Sequence, residues 1–79
     1  EELSSLAALV EGTDCGITLR ELKPGRVKLS LRTGPRVDAC AVCQRLGGGG
    51  HTAAAGATVD GTLEDAKALI LKAYRAVVG

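Results

Sequence analysis

Apolar and polar residues alternate along two stretches near the middle of the chain. The apolar positions are Ile17, Leu19, Val27, Leu29 and Leu31. A period of two residues is typical of β-strands that bury one face. The Lys-Pro-Gly sequence at residues 23–25 separates the two runs, and it favours a reversal because Pro fixes φ and Gly permits positive φ. The pattern therefore predicts a β-hairpin.

The other face of this hairpin carries basic and hydroxyl side chains. Its positions are Thr18, Arg20, Arg26, Lys28, Ser30 and Arg32. Ser30 and Arg32 place a hydroxyl beside a guanidinium group, an arrangement that suits phosphate, and Lys28 extends the patch. An amphipathic hairpin with a solvated basic side explains the same pattern. Both interpretations remain open at this point.

Three other segments have apolar residues at helical spacing, and each predicts a helix. The first is predicted over residues 2–11 and the second over residues 38–46, where Asp38 can cap the first turn. The third begins after Thr62, with Asp65 in the acidic position of a capping box, and continues to the end of the chain. Its apolar stripe is Leu63, Ala66, Ile70, Ala73, Tyr74 and Val77.

Four consecutive glycines occupy residues 47–50, and His51 follows them. Glycine loses the most backbone freedom on ordering, so the run predicts a special loop rather than a regular element. Residues 51–55 predict one helical turn ended by Gly56, and residues 57–59 a short third strand. The glycine amides and the positive end of that turn could converge on an anion. A flexible linker preceding a histidine is the alternative.

These elements predict an α+β fold with two layers, in which helices pack on one face of a small mixed sheet that contains the β-hairpin. Apolar residues make up 46% of the 79 residues, without Phe, Trp or Met, so we expect an aliphatic core with Tyr74 as its single aromatic residue. Residues 1–79 are too few for a second domain. Because three strands make a poor independent sheet, we expect a fragment whose missing strand or neighbouring domain lies before Glu1.

Charge and composition narrow the classes of function that this chain could have. Residues 17–45 contain seven basic and two acidic residues, whereas the remainder contains three basic and seven acidic ones, which indicates a local anion-binding face. A single aromatic residue argues against the usual base-stacking platform. No apolar run approaches the length of about 18 residues that marks a membrane span, so we expect no membrane partner and a cytoplasmic location.

Cys40 and Cys43 have the spacing of a metal-binding pair, and Cys15 with His51 could complete a zinc site. Cysteines within an alanine-rich helix are better explained as small buried apolar residues. No paired nucleophile and base is evident. We therefore expect the chain alone to be catalytically inactive, to contain no metal ligands and to bind no cofactor.

Four short motifs occur together in an order that matches one known domain family. They are Ser30-Leu31-Arg32-Thr33, Val37-Asp38, the glycine run with its histidine at residues 47–51, and Ala-Ala-Gly at residues 54–56. Over nearly the whole chain they resemble the C-terminal DHH-associated domain of the DHH phosphoesterases. The resemblance is strongest to the oligoribonuclease and phosphoadenosine-phosphatase branch of the RecJ-like superfamily.

The resemblance implies roles for these positions. The serine and arginine of the hairpin would contact the substrate phosphate, the glycine amides would lie at the cleft, and the histidine would face the nucleotide. With Lys28 added from the hairpin pattern, the expected substrate-binding residues are Lys28, Ser30, Arg32, Gly48, Gly49, Gly50 and His51. Thr33 stands where the family usually has a second serine, so a hydroxyl group is retained.

The implied partners are short RNA or a phosphorylated nucleotide, and an N-terminal DHH catalytic domain of the same chain that holds manganese. The Asp-His-His motif of that domain is absent from these 79 residues. Self-association into a homodimer stays open. So do three other functions: a cyclic-dinucleotide phosphodiesterase substrate domain, a tRNA-binding or self-associating module related to the alanyl-tRNA synthetase C-terminal domain, and an independent zinc module.

Overall fold

The computed structural model describes the backbone of residues 5–9 and all of residues 15–79. Five strands form one sheet in the order β1-β2-β3-β5-β4. The strands are β1 (Ser5–Leu9), β2 (Gly16–Lys23), β3 (Arg26–Arg32), β4 (Gly49–Gly50) and β5 (Ala54–Asp60). The helices are α1 (Ala39–Gln44) and α2 (Leu63–Val78), and both pack on one face of the sheet. The predicted α+β class is confirmed.

The predicted hairpin is confirmed as β2 and β3. Pro24 and Gly25 form the turn, and Gly25 has the positive φ of 84° that the reversal requires. Strand β3 pairs with β2 on one side and with β5 on the other, over residues 26–32 in both cases. Every described strand pair is antiparallel, so the sheet is antiparallel rather than mixed. Strand β3 is therefore the central strand.

The helix predicted over residues 2–11 is wrong where the structure describes it. Residues 5–9 form β1, which pairs with β2 from Ser5 opposite Arg20 to Leu9 opposite Gly16. Apolar spacing in so short a segment fits either a helix or a strand. The strand is favoured because pairing with β1 satisfies backbone N–H and C=O groups that β2 would leave open as the edge of the sheet. Residues 2–4 and 10–11 of the prediction lie outside the described residues.

The helical turn predicted over residues 51–55 is also wrong. His51 and Ala54 exchange two backbone hydrogen bonds of 2.8 and 3.2 Å, which close a tight reversal between β4 and β5. Strand β5 then pairs with β3 along seven residues, from Ala54 to Asp60. This continuous ladder outweighs the helix propensity of the alanines. Gly56 lies inside a strand rather than at the end of a helix, and the predicted third strand is longer than residues 57–59.

The other two predicted helices are confirmed, each with its cap. The Asp38 side chain accepts a hydrogen bond of 3.1 Å from the Ala41 amide at the start of α1. Thr62 and Asp65 form a reciprocal capping box at the start of α2, with bonds of 2.9 and 3.1 Å. No helix in the described part of the chain is both long enough and apolar enough to cross a membrane.

The core lies between the sheet and the two helices. The sheet contributes Ile17, Leu19, Val27, Leu29, Leu31 and Ala57. The helices contribute Ala39, Val42, Cys43, Ala66, Ile70, Ala73 and Tyr74. The core is aliphatic apart from Tyr74, as the composition predicted. Because the helices cover only this face, the basic face of β2 and β3 remains exposed.

Candidate functional site

The exposed face of the sheet carries a concentration of positive charge on β2 and β3. Arg26 at one end of β3 forms an ion pair of 2.6 Å with Asp60 on β5. Within residues 15–79, no carboxylate lies within ion-pairing distance of Arg20, Lys28 or Arg32. These three cations are exposed. Within that range, the face therefore presents positive charge over the central strand without a carboxylate to neutralise it.

Five of the seven predicted site residues line one open groove on this face, with a volume of about 320 Å³. Lys28, Ser30 and Arg32 come from β3, and Gly49 and Gly50 come from β4. The remaining lining residues are Leu31, Ala54, Ala55 and Gly56. A groove with cations on one side and small residues on the other has the charge and the space to accept an anionic ligand.

The register of three strands brings the glycines to the hairpin. Ser30 on β3 lies opposite Gly56 on β5, and Gly56 lies opposite Gly49 on β4. A Cβ atom added to Gly56 would lie 3.9 Å from Ser30 Oγ and 2.9 Å from the Leu29 carbonyl oxygen. Gly56 thus keeps the groove open next to the serine hydroxyl. The sequence pattern gave no sign of this role, because Gly56 was predicted at the end of a helical turn.

The structure does not bring Gly48 into the groove. The Gly48 amide donates a hydrogen bond of 2.9 Å to the Cys43 carbonyl oxygen, so it is already engaged within the fold. A Cβ atom added there would clash with the Gly56 carbonyl oxygen. Gly48 therefore allows the chain leaving α1 to approach β5 closely, which is a structural role.

The Gly50 amide is directed outward from the sheet edge. Successive residue pairs in an antiparallel ladder alternate between hydrogen-bonded and non-hydrogen-bonded positions. His51 and Ala54 exchange both bonds, so the next pair, Gly50 and Ala55, is a non-hydrogen-bonded pair. Gly50 also has a φ of 147°, which favours glycine. Because β4 is the outer strand, this amide points away from β5 and β3, so Gly50 lines the groove through its small size rather than through an aimed donor.

His51 lies on the reversal between β4 and β5, where it is exposed and does not line the groove. Its amide donates to the Ala54 carbonyl oxygen at 2.8 Å. No helix begins at His51, so the expected positive end of a helical turn is absent from this position. An imidazole on an exposed turn can reach a ligand only if that ligand extends past the groove.

Thr33 fixes the position of this turn, a role that the sequence analysis did not recognise. Its amide donates to the Ala53 carbonyl oxygen at 3.0 Å, and its hydroxyl lies 2.7 Å from the Val37 carbonyl oxygen and 3.1 Å from that of Thr52. The signal in the sequence was a hydroxyl residue directly after Arg32. Thr33 therefore acts through the backbone around the groove, whereas Ser30 lines the groove itself.

The possible zinc ligands do not form a site. Within residues 15–79, no group of three or more His, Cys, Asp or Glu side chains could hold a metal ion. Cys15 and Cys43 are buried in the core. Burial raises the pKa of the Cys43 thiol, and the neighbouring Cys40 raises that pKa further. Cys43 is therefore a poor nucleophile and contributes packing rather than chemistry.

Comparison with known proteins shows the family to which this chain belongs. Residues 5–79 match the DHHA1 domain. Over 76 residues, the chain is 40% identical to the bifunctional oligoribonuclease and PAP phosphatase NrnA of Thermus thermophilus. The aligned region is 95% of this chain and 23% of that relative, so the chain spans about a quarter of the length of the protein it matches. The chain belongs to the DHHA1 domain family.

Proposed function

We propose that this chain is the substrate-binding domain of a DHH phosphoesterase that acts on short oligoribonucleotides or on a phosphorylated nucleotide. The observation that carries the proposal is the groove that brings Arg32, Ser30 and Gly50 together. The name of the Thermus relative, an oligoribonuclease and PAP phosphatase, favours these substrates over a cyclic dinucleotide or tRNA.

Each group of the groove has a distinct function in this proposal. The Arg32 guanidinium offers paired donors that match two phosphate oxygens, and the Ser30 hydroxyl donates a further hydrogen bond. Gly50 lines the opposite rim and leaves space there, because it has no side chain. Lys28 contributes charge at the other end of the groove. Arg32 and Ser30 would hold a phosphate of the substrate in one orientation, and Lys28 would add positive charge to the same surface.

The contribution of this domain to catalysis would be positional. Fixing one phosphate places the scissile bond against groups supplied by another domain, and this removes much of the entropy cost of the reaction. The described residues contain no metal-ligating cluster, so manganese, if the enzyme uses it, would be held by a separate catalytic domain. Activity would therefore require both domains.

Arg32→Gln in the two-domain enzyme tests this function. We expect kcat/KM for a dinucleotide to fall about tenfold or more, because a charge-assisted contact to phosphate is lost. Arg75→Gln is the matched control, since Arg75 is an exposed arginine in the last turn of α2. Steady-state kinetics of purified variants give the comparison, and thermal unfolding verifies that each variant is folded.

Equal kcat/KM for Arg32→Gln, Arg75→Gln and the parent enzyme would refute the proposed function. His51→Ala addresses a separate question, because His51 lies outside the groove. If the imidazole contacts the substrate, this variant raises KM although the groove is intact. An unchanged KM removes His51 from the substrate-binding residues and leaves the groove as the site.

A further inference from the structure

A second depression lies on the same face of the sheet, beside the groove. It has a volume of about 180 Å³ and is lined by Thr18, Arg20, Lys28 and Ser30. Lys28 and Ser30 also line the groove, so the two concave regions are continuous along β3. All four lining side chains are polar, and two of them are cationic. This depression is not needed to hold the single phosphate considered above.

Two like charges face each other in this depression. Arg20 on β2 and Lys28 on β3 are direct cross-strand partners. Like charges in that position destabilise a sheet. At the far end of β3, Asp60 neutralises Arg26 through an ion pair of 2.6 Å. No carboxylate of residues 15–79 forms an ion pair with Arg20 or Lys28. Thr58, the cross-strand partner of Lys28 on β5, is uncharged.

An anion bound between Arg20 and Lys28 would convert this repulsion into two attractive contacts. Thr18 would supply a hydroxyl donor to the same anion, while the single proton of Ser30, its cross-strand partner, serves the phosphate beside Arg32. The depression therefore contains both the charges and a neutral donor that phosphate oxygens accept from. Its open shape permits the ligand to continue into the groove.

The spacing along β3 indicates how many phosphates the whole surface can hold. Lys28 and Arg32 are four residues apart on one face of the strand, which corresponds to about 13 Å at a rise of about 3.3 Å per residue. A chain with successive phosphates can place one phosphate beside each of these cations, with Ser30 lying between them.

We propose that the depression is a second phosphate subsite, which binds the next backbone phosphate of an oligoribonucleotide whose first phosphate lies by Arg32. This inference rests on the proposed function and extends it from one phosphate to a chain of phosphates. The subsite would give the enzyme a preference for RNA of several nucleotides over a ligand with a single nucleoside. The recognition is of the backbone and is independent of base sequence.

Arg20→Gln in the two-domain enzyme tests the subsite with two substrates, a five-nucleotide RNA and adenosine 3′,5′-bisphosphate. We expect KM for the RNA to rise about five- to tenfold, because a charged contact to phosphate is lost, and KM for the bisphosphate to change less than about twofold. The slope of log KM against log salt for the RNA should fall by about 0.7, the value for one contact to a single strand.

Arg32→Gln and Arg75→Gln separate this inference from the proposed function. If Arg32→Gln impairs both substrates while Arg20→Gln impairs neither, or impairs both equally, the second subsite is refuted and the proposed function stands. If Arg32→Gln impairs neither substrate, the proposed function itself fails. Arg75→Gln should leave both KM values unchanged.

Folding provides an independent readout of the same variant. Because Arg20→Gln removes a like-charge pair, Tm of the free enzyme should stay constant or rise, while the increase in Tm caused by the five-nucleotide RNA becomes smaller. A fall in Tm of the free enzyme would show that Arg20 stabilises the sheet, and this would contradict the interpretation of the pair as a strained anion site.

Discussion

Thr33 joins three segments around the groove through one side chain and one amide. Its hydroxyl has a single proton, which can serve one acceptor at a time, and the Val37 carbonyl oxygen at 2.7 Å is nearer than that of Thr52 at 3.1 Å. The Thr52 oxygen also accepts from the Ala39 amide at 2.7 Å. The hydroxyl proton is therefore assigned to Val37, and the turn after β4 is held by backbone donors.

Thr33→Val should lower the free energy of unfolding by about 1 kcal/mol, because a half-buried hydrogen bond is replaced by a methyl group. Thr33→Ser keeps the hydroxyl, so we expect it to restore most of that loss. Urea denaturation of the parent and both variants measures the difference. Equal stability of the valine and serine variants would show that the hydroxyl contributes packing volume only.

Among the structural elements, the short strand β4 depends most on the absence of side chains. A Cβ atom at Gly48 would clash with the Gly56 carbonyl oxygen and would lie 2.6 Å from the Ala57 Cβ. A Cβ atom at Gly49 would have no neighbour within 4 Å. Of these two adjacent glycines, only Gly48 is required by packing to lack a side chain.

Gly48→Ala should destabilise the protein by about 1–3 kcal/mol, as overpacking does, because β5 must move away from the chain that follows α1. Gly49→Ala is the matched substitution. It should change stability by less than about 1 kcal/mol and in the stabilising direction, since it restricts the unfolded chain. Chemical denaturation of the pair gives both values, and the same sign for both would contradict this account of β4.

The sequence predicted best those elements whose signals are local. The hairpin follows from alternation and a Pro24-Gly25 turn, and α2 follows from its apolar stripe and the Thr62 capping box. The two errors concern residues 5–9 and 51–55, where pairing with β2 and β3 decides the structure. Strand pairing depends on distant partners, and alanine-rich segments have no side-chain pattern that specifies it.

The residues of the candidate site show the same difference between local signals and pairing with distant strands. Period-two alternation on one strand was enough to place Ser30 and Arg32 on a common face, and the structure brings Gly49 and Gly50 to them. Which glycine amides point outward could not be predicted, because that depends on the register between β4 and β5. For the same reason, no local signal separates Gly48 from the other glycines of the run.

At the scale of the whole molecule, 79 residues support a small core and a limited stability. Typical values per residue correspond to a free energy of unfolding of about 4–12 kcal/mol. The core contains a single aromatic residue, so aliphatic contacts between the sheet and the two helices supply most of the burial. The loss of one large aliphatic side chain therefore removes a substantial share of the total.

Ile70→Ala should reduce the free energy of unfolding by about 2–5 kcal/mol, because Ile70 is fully buried and its removal leaves a cavity. Leu69→Ala is the control on the adjacent position, since Leu69 is 38% exposed, and we expect a loss of about 1 kcal/mol or less. Thermal and urea unfolding compare them. Similar losses for both variants would mean that α2 is not packed as described.

The two sides of the groove stand on strands that differ in the number of strands they pair with. Ser30 and Arg32 stand on a strand that is hydrogen-bonded on both sides, whereas Gly50 stands on a two-residue strand at the border of the sheet. In the proposed function, the ionic anchor thus stands on a strand with two paired neighbours, and the glycine border stands on a strand with one. Ligands of unequal bulk would then be accommodated by displacement of the glycine border, while the charged anchor keeps its alignment.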